Sequence, residues 1–124
     1  MREGTAERRR ELYLEAVDLI ARDYASDLNL ENVARRLATS RRQLQRAFAE
    51  AGDTSFRDEL AGVRMKHARE LLAADALPVR QVAASVGYNQ PAQFAKSFRR
   101  YHGQPPSSYR RENRGGFAPS PCGA

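Results

Sequence analysis

LNLENVARRLATSRRQLQRAFAEAGDTSF, residues 28–56, and LPVRQVAASVGYNQPAQFAKSFRRYHGQPP, residues 77–106, are two versions of one pattern. Leu28 aligns with Leu77, Leu30 with Val79, Val33 and Ala34 with Val82 and Ala83, Leu37 with Val86, and Ala38 with Gly87, all 49 residues apart. Further on the spacing is 50: Leu44 aligns with Phe94, Arg46 with Lys96, Phe48 with Phe98, and Asp53 with Gly103. The extra residue falls in the turn between the two blocks, where chain length varies most easily. A structural unit has been used twice.

Each copy reads as helix, short turn, helix. Leu30, Val33, Ala34 and Leu37 recur at the spacing of one helical face, as do Val79, Val82, Ala83 and Val86. Asn29 is placed to cap the first of these helices, and Pro78 suits the first turn of the second. Gly87 has the freedom to end its helix in the left-handed conformation. The following helices are expected over 41–51, capped by Ser40, and 91–101, with Pro91 near its start. This is the helix-turn-helix arrangement, whose second helix enters the major groove of DNA. Two more helices frame the copies. Residues 8–25 place Tyr13, Ala16, Val17, Ile20 and Tyr24 on one stripe. Residues 56–74 place Leu60, Val63, Ala68, Leu71 and Leu72 on another. The latter helix would be roughly 25–28 Å long at 1.5 Å per residue, a spacer to set against the groove repeat of about 34 Å.

The second helix of the first copy has a face that water alone does not require. Leu44, Ala47 and Phe48 share one side of SRRQLQRAF (40–48), leaving Arg41, Arg42, Gln45 and Arg46 on the other. Net charge is +6, with +4 in residues 35–50 and +5 in residues 91–114, so the other 84 residues sum to −3. Charge concentrated in two matching contexts is the layout expected for two contacts on a polyanion. A single basic run is more often just a solvated face; the repetition is what argues for a ligand. At 124 residues the chain has room for one domain or two very small ones. It contains no apolar run of membrane-spanning length, and its N-terminus has no apolar segment of a secretory signal. Cys122 is the only cysteine, so neither an internal disulfide nor a cysteine-based zinc site is expected, and a reducing cytoplasm suits it. His67 and His102 are the only histidines; no cysteine or carboxylate cluster accompanies them at ligand spacing, and neither metal nor cofactor is expected. Phe48, Phe94 and Phe98 fall on apolar stripes and are assigned to the core. Short helices leave little room for a pocket holding a nucleophile, a base and an orienting group, so no catalytic residue is proposed.

One ordered string carries a resemblance. QVAASVGYNQPAQFAKSFRRYHGQPPSSYRR (81–111) combines an alanine-bearing helix with Gly87-Tyr88, then Phe94, Lys96, Phe98, Arg99 and Arg100, then Gly103, Pro105, Pro106, Tyr109 and Arg110. With RMKHARELL (64–72) before it and a partner unit upstream, it resembles the DNA-binding domain of the AraC/XylS family of bacterial transcription regulators, over about residues 10–111. The resemblance implies an all-α fold of about seven helices, with two helix-turn-helix subdomains (8–55 and 75–111) joined by a linker helix (56–74). It implies asymmetric duplex DNA sites spanning two major grooves, and usually activation through RNA polymerase. Ala38 and Asp53 stand where the family usually has glycine, Glu59 where it has an aromatic, and Ala92 where it often has a polar side chain. Residues 112–124 are Gly/Pro-rich and are expected to be a disordered tail.

Arg42, Gln45 and Arg46, at i, i+3 and i+4, suit base edges: arginine pairs with guanine O6 and N7, glutamine with adenine N6 and N7. The resemblance places base reading at the same three positions. Gln90, Gln93 and Lys96 are the base-reading candidates of the second copy, while Arg41, Arg99 and Arg100 are phosphate candidates. The first-turn amides of the helices at 30 and 79 are further phosphate candidates. Two other classes remain open: an adaptor docking on RNA polymerase or another acidic partner, and a non-specific DNA coater. The tandem units favour a monomer on DNA, in the cytoplasm at the nucleoid, either as a stand-alone regulator or as part of a longer one.

Overall fold

The computed structural model describes residues 3–113, and the regular structure within that span is entirely helical. The helices are α1 (Glu3–Asp23), α2 (Leu30–Arg36), α3 (Arg41–Ala51), α4 (Phe56–Ala74), α5 (Val79–Ser85), α6 (Pro91–His102) and α7 (Pro106–Glu112). The protein is therefore all-α with seven helices among the described residues. It divides into two compact units, Met1–Val63 and Arg64–Ala124, and the division falls inside α4. The tail expected from 112 lies outside the described residues, apart from Glu112, which closes α7, and Asn113.

The repeat survives in three dimensions down to single hydrogen bonds. Both α2 and α5 are seven residues long, and each ends on a residue of similar backbone angles, Leu37 (φ −95°, ψ 9°) and Val86 (φ −101°, ψ 9°). The next residue is left-handed in both copies: Ala38 at φ 57° and Gly87 at φ 101°. In the first copy the Ala38 amide donates to the Arg35 carbonyl (3.1 Å) and the Thr39 amide to the Ala34 carbonyl (2.9 Å). In the second, Gly87 donates to Ala84 (3.1 Å) and Tyr88 to Ala83 (2.9 Å). This is the paired-bond helix ending known as the Schellman motif, which satisfies carbonyls that a helix otherwise leaves bare. The later pair, Asp53 and Gly103, is also left-handed, at φ 52° and φ 78°. The two departures from glycine thus sit in a conformation that favours glycine, and each carries a steric cost.

Capping follows the sequence in the first copy and changes in the second. Asn29 and Asn32 form a reciprocal capping box on α2, with bonds of 2.8 and 3.2 Å, and the Ser40 hydroxyl accepts the Gln43 amide at 3.1 Å on α3. Pro91 occupies the first turn of α6. Pro78 stands one place earlier than the first turn, as the N-cap of α5, and makes no side-chain cap. Asn32 and Gln81 already spend their amides, on Asn29 and on the Pro78 carbonyl, so the first turns of α2 and α5 offer fewer free donors than their sequence suggested.

Burial corrects two stripes. On α1 the buried residues are Leu12, Ala16, Leu19 and Ile20, while Val17 is only half-buried. Leu12 and Leu19 were missed because the true face is turned slightly from the aromatic one that Tyr13 and Tyr24 suggested. On α4 the expected single stripe merges two sets. Phe56 and Leu60 belong to the core of the first unit, with Val63 packed against it; Met65, Ala68 and Leu72 are buried further along. Met65 follows Leu60 by five residues, about 140° around a helix of 3.6 residues per turn, so the buried face shifts between the two sets. In the first unit Phe48 receives the edges of Tyr13 and Phe56, with centroids at 5.3 and 5.9 Å. In the second, Phe98 packs on Phe94 (5.8 Å), Tyr109 (5.5 Å) and His102 (4.5 Å).

The matched turns give a paired prediction. Ala38→Gly removes the left-handed penalty and should stabilise the protein by about 0.5–1 kcal/mol, net of the larger entropy glycine loses on folding. Gly87→Ala should destabilise by about 1–2 kcal/mol from the backbone alone, and its new Cβ would stand 2.9 Å from the Arg64 guanidinium. Urea unfolding of both variants checks the opposite signs.

Candidate nucleic-acid interface

Burial of the apolar side of α3 decides what its other side shows. Leu44, Ala47 and Phe48 have no exposed surface, so Arg41, Arg42, Gln45 and Arg46 all project outward and are exposed. Arg42, Gln45 and Arg46 share one face by their spacing, and Arg41 stands at the first turn beside the Ser40 cap. No side-chain hydrogen bond or ion pair among the described residues engages Arg41, Arg42 or Gln45. Arg46 differs: its Nε lies 3.9 Å from Glu50 Oε2, one turn on.

The matching helix in the second unit is built the same way. Phe94 and Phe98 are fully buried, which leaves Gln93, Lys96, Arg99 and Arg100 exposed, with Gln90 exposed at the N-cap. None of these five has a polar side-chain partner among the described residues. The repeat aligns Arg42, Gln45 and Arg46 with Ala92, Ala95 and Lys96, so two of the three outward positions shrink to alanine. The second face keeps its charge and loses much of its hydrogen-bonding reach. Arg36, by contrast, is engaged by Asp23 at 2.8 Å.

Three polar residues matter to these helices without carrying a sequence signal strong enough to be assigned. Arg110 Nε donates to the Leu72 carbonyl at 3.2 Å and lies 3.2 Å from Asp75 Oδ1, so α7 is tied to the end of α4. His102 Nε2 sits 3.2 Å from the Met65 carbonyl and, as donor, closes the end of α6 onto α4. Arg9 reaches from α1 to Glu50 at 2.5 Å, with a side chain only 17% exposed. The resemblance contains Arg110 in its final motif but gives no role; long-range partners such as Arg9 and Glu50, 41 residues apart, leave no periodicity to read. Tyr109 packs on Phe98 and His102. A groove between α1 and α3 is lined, among the described residues, by Arg9, Arg10, Tyr13, Leu14 and Glu50 with neighbouring Ala6, Glu7 and Ala51. Among the described residues no group of three or more His, Cys, Asp or Glu side chains is placed to hold a metal. No helix is long and apolar enough to cross a membrane, among the residues described.

Comparison with known proteins agrees with this geometry. A helix-turn-helix domain model matches residues 33–112; the chain belongs to that family, in its AraC type. It is 32% identical over 94 residues to the Msm operon regulatory protein of Streptococcus mutans, covering 76% of this chain and 34% of that one. Among solved structures, the C-terminal domain of AraT, a response regulator from Geobacillus stearothermophilus, has a TM-score of 0.80 at 30% identity, covering 90% of this chain and 91% of that one. The DNA-binding domain of AdpA, a global transcriptional factor solved with a target DNA, has a TM-score of 0.75 at 27% identity, covering 80% of this chain and 89% of that one. The chain spans a quarter to two fifths of the length of the first curated relatives it matches.

Arg110→Ala removes both the bond to the Leu72 carbonyl and the ion pair with Asp75, so unfolding free energy should fall by about 1–3 kcal/mol. Chemical denaturation measures it; an unchanged midpoint would show that α7 is held by its apolar contacts alone.

Proposed function

We propose that the chain is a sequence-specific DNA-binding transcription regulator, with α3 and α6 as its two recognition helices. One observation carries the reading: the repeat has produced two outward helical faces of long polar and cationic side chains, and of the candidate contacts on them only Arg46 has a polar side-chain partner among the described residues. Arg42, Gln45 and Arg46 read base edges in the major groove, joined from the second unit by Gln90, Gln93 and Lys96. Arg41, Arg99 and Arg100 hold phosphates and set register. Residues 8–55 and 75–111 act as the two reading subdomains, with 56–74 as the linker, on an asymmetric site of roughly 20 base pairs, two turns of about 10 each. The tandem units support binding as a monomer. Family membership supports a place at the bacterial nucleoid, in the cytoplasm, and activation through RNA polymerase rather than catalysis.

Selection from random duplex DNA tests the reading; an enriched motif is expected, and its absence would leave an adaptor or a non-specific coater. Two variants then separate reading from anchoring. Arg46→Ala should lose about 1–3 kcal/mol on the preferred site and relax discrimination at one base pair. Arg99→Ala should weaken all sequences alike and reduce the slope of log affinity against log salt by about one. Equal loss from Arg46→Ala on every sequence would make it a phosphate contact, and an unchanged slope for Arg99→Ala would remove it from the backbone.

A further inference from the structure

Glu50 is an acid at the edge of a face otherwise made for an anion, and three observations give it a purpose. Its Oε1 accepts Arg9 Nη1 of α1 at 2.5 Å. Its Oε2 lies at ion-pair distance, 3.9 Å, from Nε of Arg46. Arg9 is largely enclosed, with a side chain 17% exposed, whereas Glu50 and Arg46 are each 48% exposed. A carboxylate bonded at one oxygen to a largely enclosed guanidinium has less freedom left for the other. In the repeat, position 50 corresponds to Arg100 and position 46 to Lys96, so the second unit puts a like charge where the first puts a counter-charge.

We propose that Glu50, paired with Arg9, is a positioning residue for base reading: its charge, 3.9 Å from Nε of Arg46, draws the inner side of that guanidinium and so favours rotamers that leave the two terminal nitrogens as an outward fork. An exposed arginine otherwise spends side-chain entropy to adopt one rotamer on binding. A guanidinium drawn to a carboxylate on its inner side keeps its outer pair for the O6 and N7 of guanine. The cost is a negative charge beside phosphates, so Glu50 trades non-specific affinity for discrimination. The second unit, with Arg100 in the same place, makes the opposite trade.

This inference rests on the DNA-binding reading above, and its test separates the two. Glu50→Gln keeps an oxygen for Arg9 and removes the charge. On wild-type protein with a selected motif, the variant should lose about two- to five-fold in discrimination at the base pair sensitive to Arg46, the size expected of a half-exposed ion pair. Affinity for unrelated duplex DNA should rise, since one repulsive charge is gone. In the Arg46→Ala background the discrimination effect should vanish. Arg9→Met, which frees Glu50 without altering α3, should lower discrimination as well, with folding checked by thermal melting. A general structural role would lower specific and non-specific affinity together, and that result, or unchanged discrimination in Glu50→Gln, would overturn the proposal while leaving the DNA-binding reading in place. A wild-type protein that selects no motif would instead sink that reading and this inference with it.

Discussion

Phe48 and Phe98 stand at equivalent places in the two copies, and neither exposes any surface. Burying each ring is worth roughly 1.5–3 kcal/mol from removal of apolar area, and it fixes the rotation of the helix that carries it. On α3 the buried side is Leu44, Ala47 and Phe48; on α6 it is Phe94 and Phe98. The long cationic and amide side chains on those helices are thereby turned outward, while His102 at the end of α6 turns in to the Met65 carbonyl. The cationic faces follow from the apolar ones: a helix of 3.6 residues per turn that hides one stripe must display the other.

The short helices before them serve the same end by geometry. A chain leaving α2 or α5 has to reverse within a few residues to begin the next helix, and the left-handed residue after each makes that reversal. Glycine accepts this at position 87, where the space beside it is taken by Arg64, whose guanidinium carbon lies 5.5 Å from the centre of the Tyr88 ring. Ala38 meets the same demand at a steric cost. That an alanine takes this conformation shows that packing around the turn outweighs the preference of one residue, the usual order of strengths when local propensity and tertiary contacts disagree.

Much of this was legible in the sequence, for an identifiable reason. The duplication places hydrophobic residues at one face of α2, α3, α5 and α6 twice over, so each copy supports the reading of the other. The boundaries of α3 and α4 matched, and Gly87 declared its turn. α1 began earlier, at Glu3, because several of its first residues are good helix formers with no apolar stripe to mark them. Met65 was hidden because α4 buries one set of side chains near its start and another further on, while stripe-counting assumes a single face. The interface residues were visible as types at spacings; their neighbours were not. Nothing in a string of letters shows that Arg9 lies against Glu50 or that Arg110 closes the end of α4, since those contacts join distant positions by single long side chains.

The two copies also differ in kind. Arg42 and Gln45 have alanines for counterparts, and Glu50 has an arginine, so the first face is the richer in directional donors and acceptors and the second the more purely cationic. Under the proposed DNA-binding reading, base contacts specify and phosphate contacts position, so the first face would carry the larger share of the specifying and the second the larger share of the anchoring. Backbone amide NMR of the protein titrated with its selected duplex examines this most directly. The account predicts large shifts in both α3, over residues 41–50, and α6, over residues 90–100, with the buried faces quiet. Shifts confined to one copy, or centred on the groove beside Tyr13 and Leu14, would contradict it.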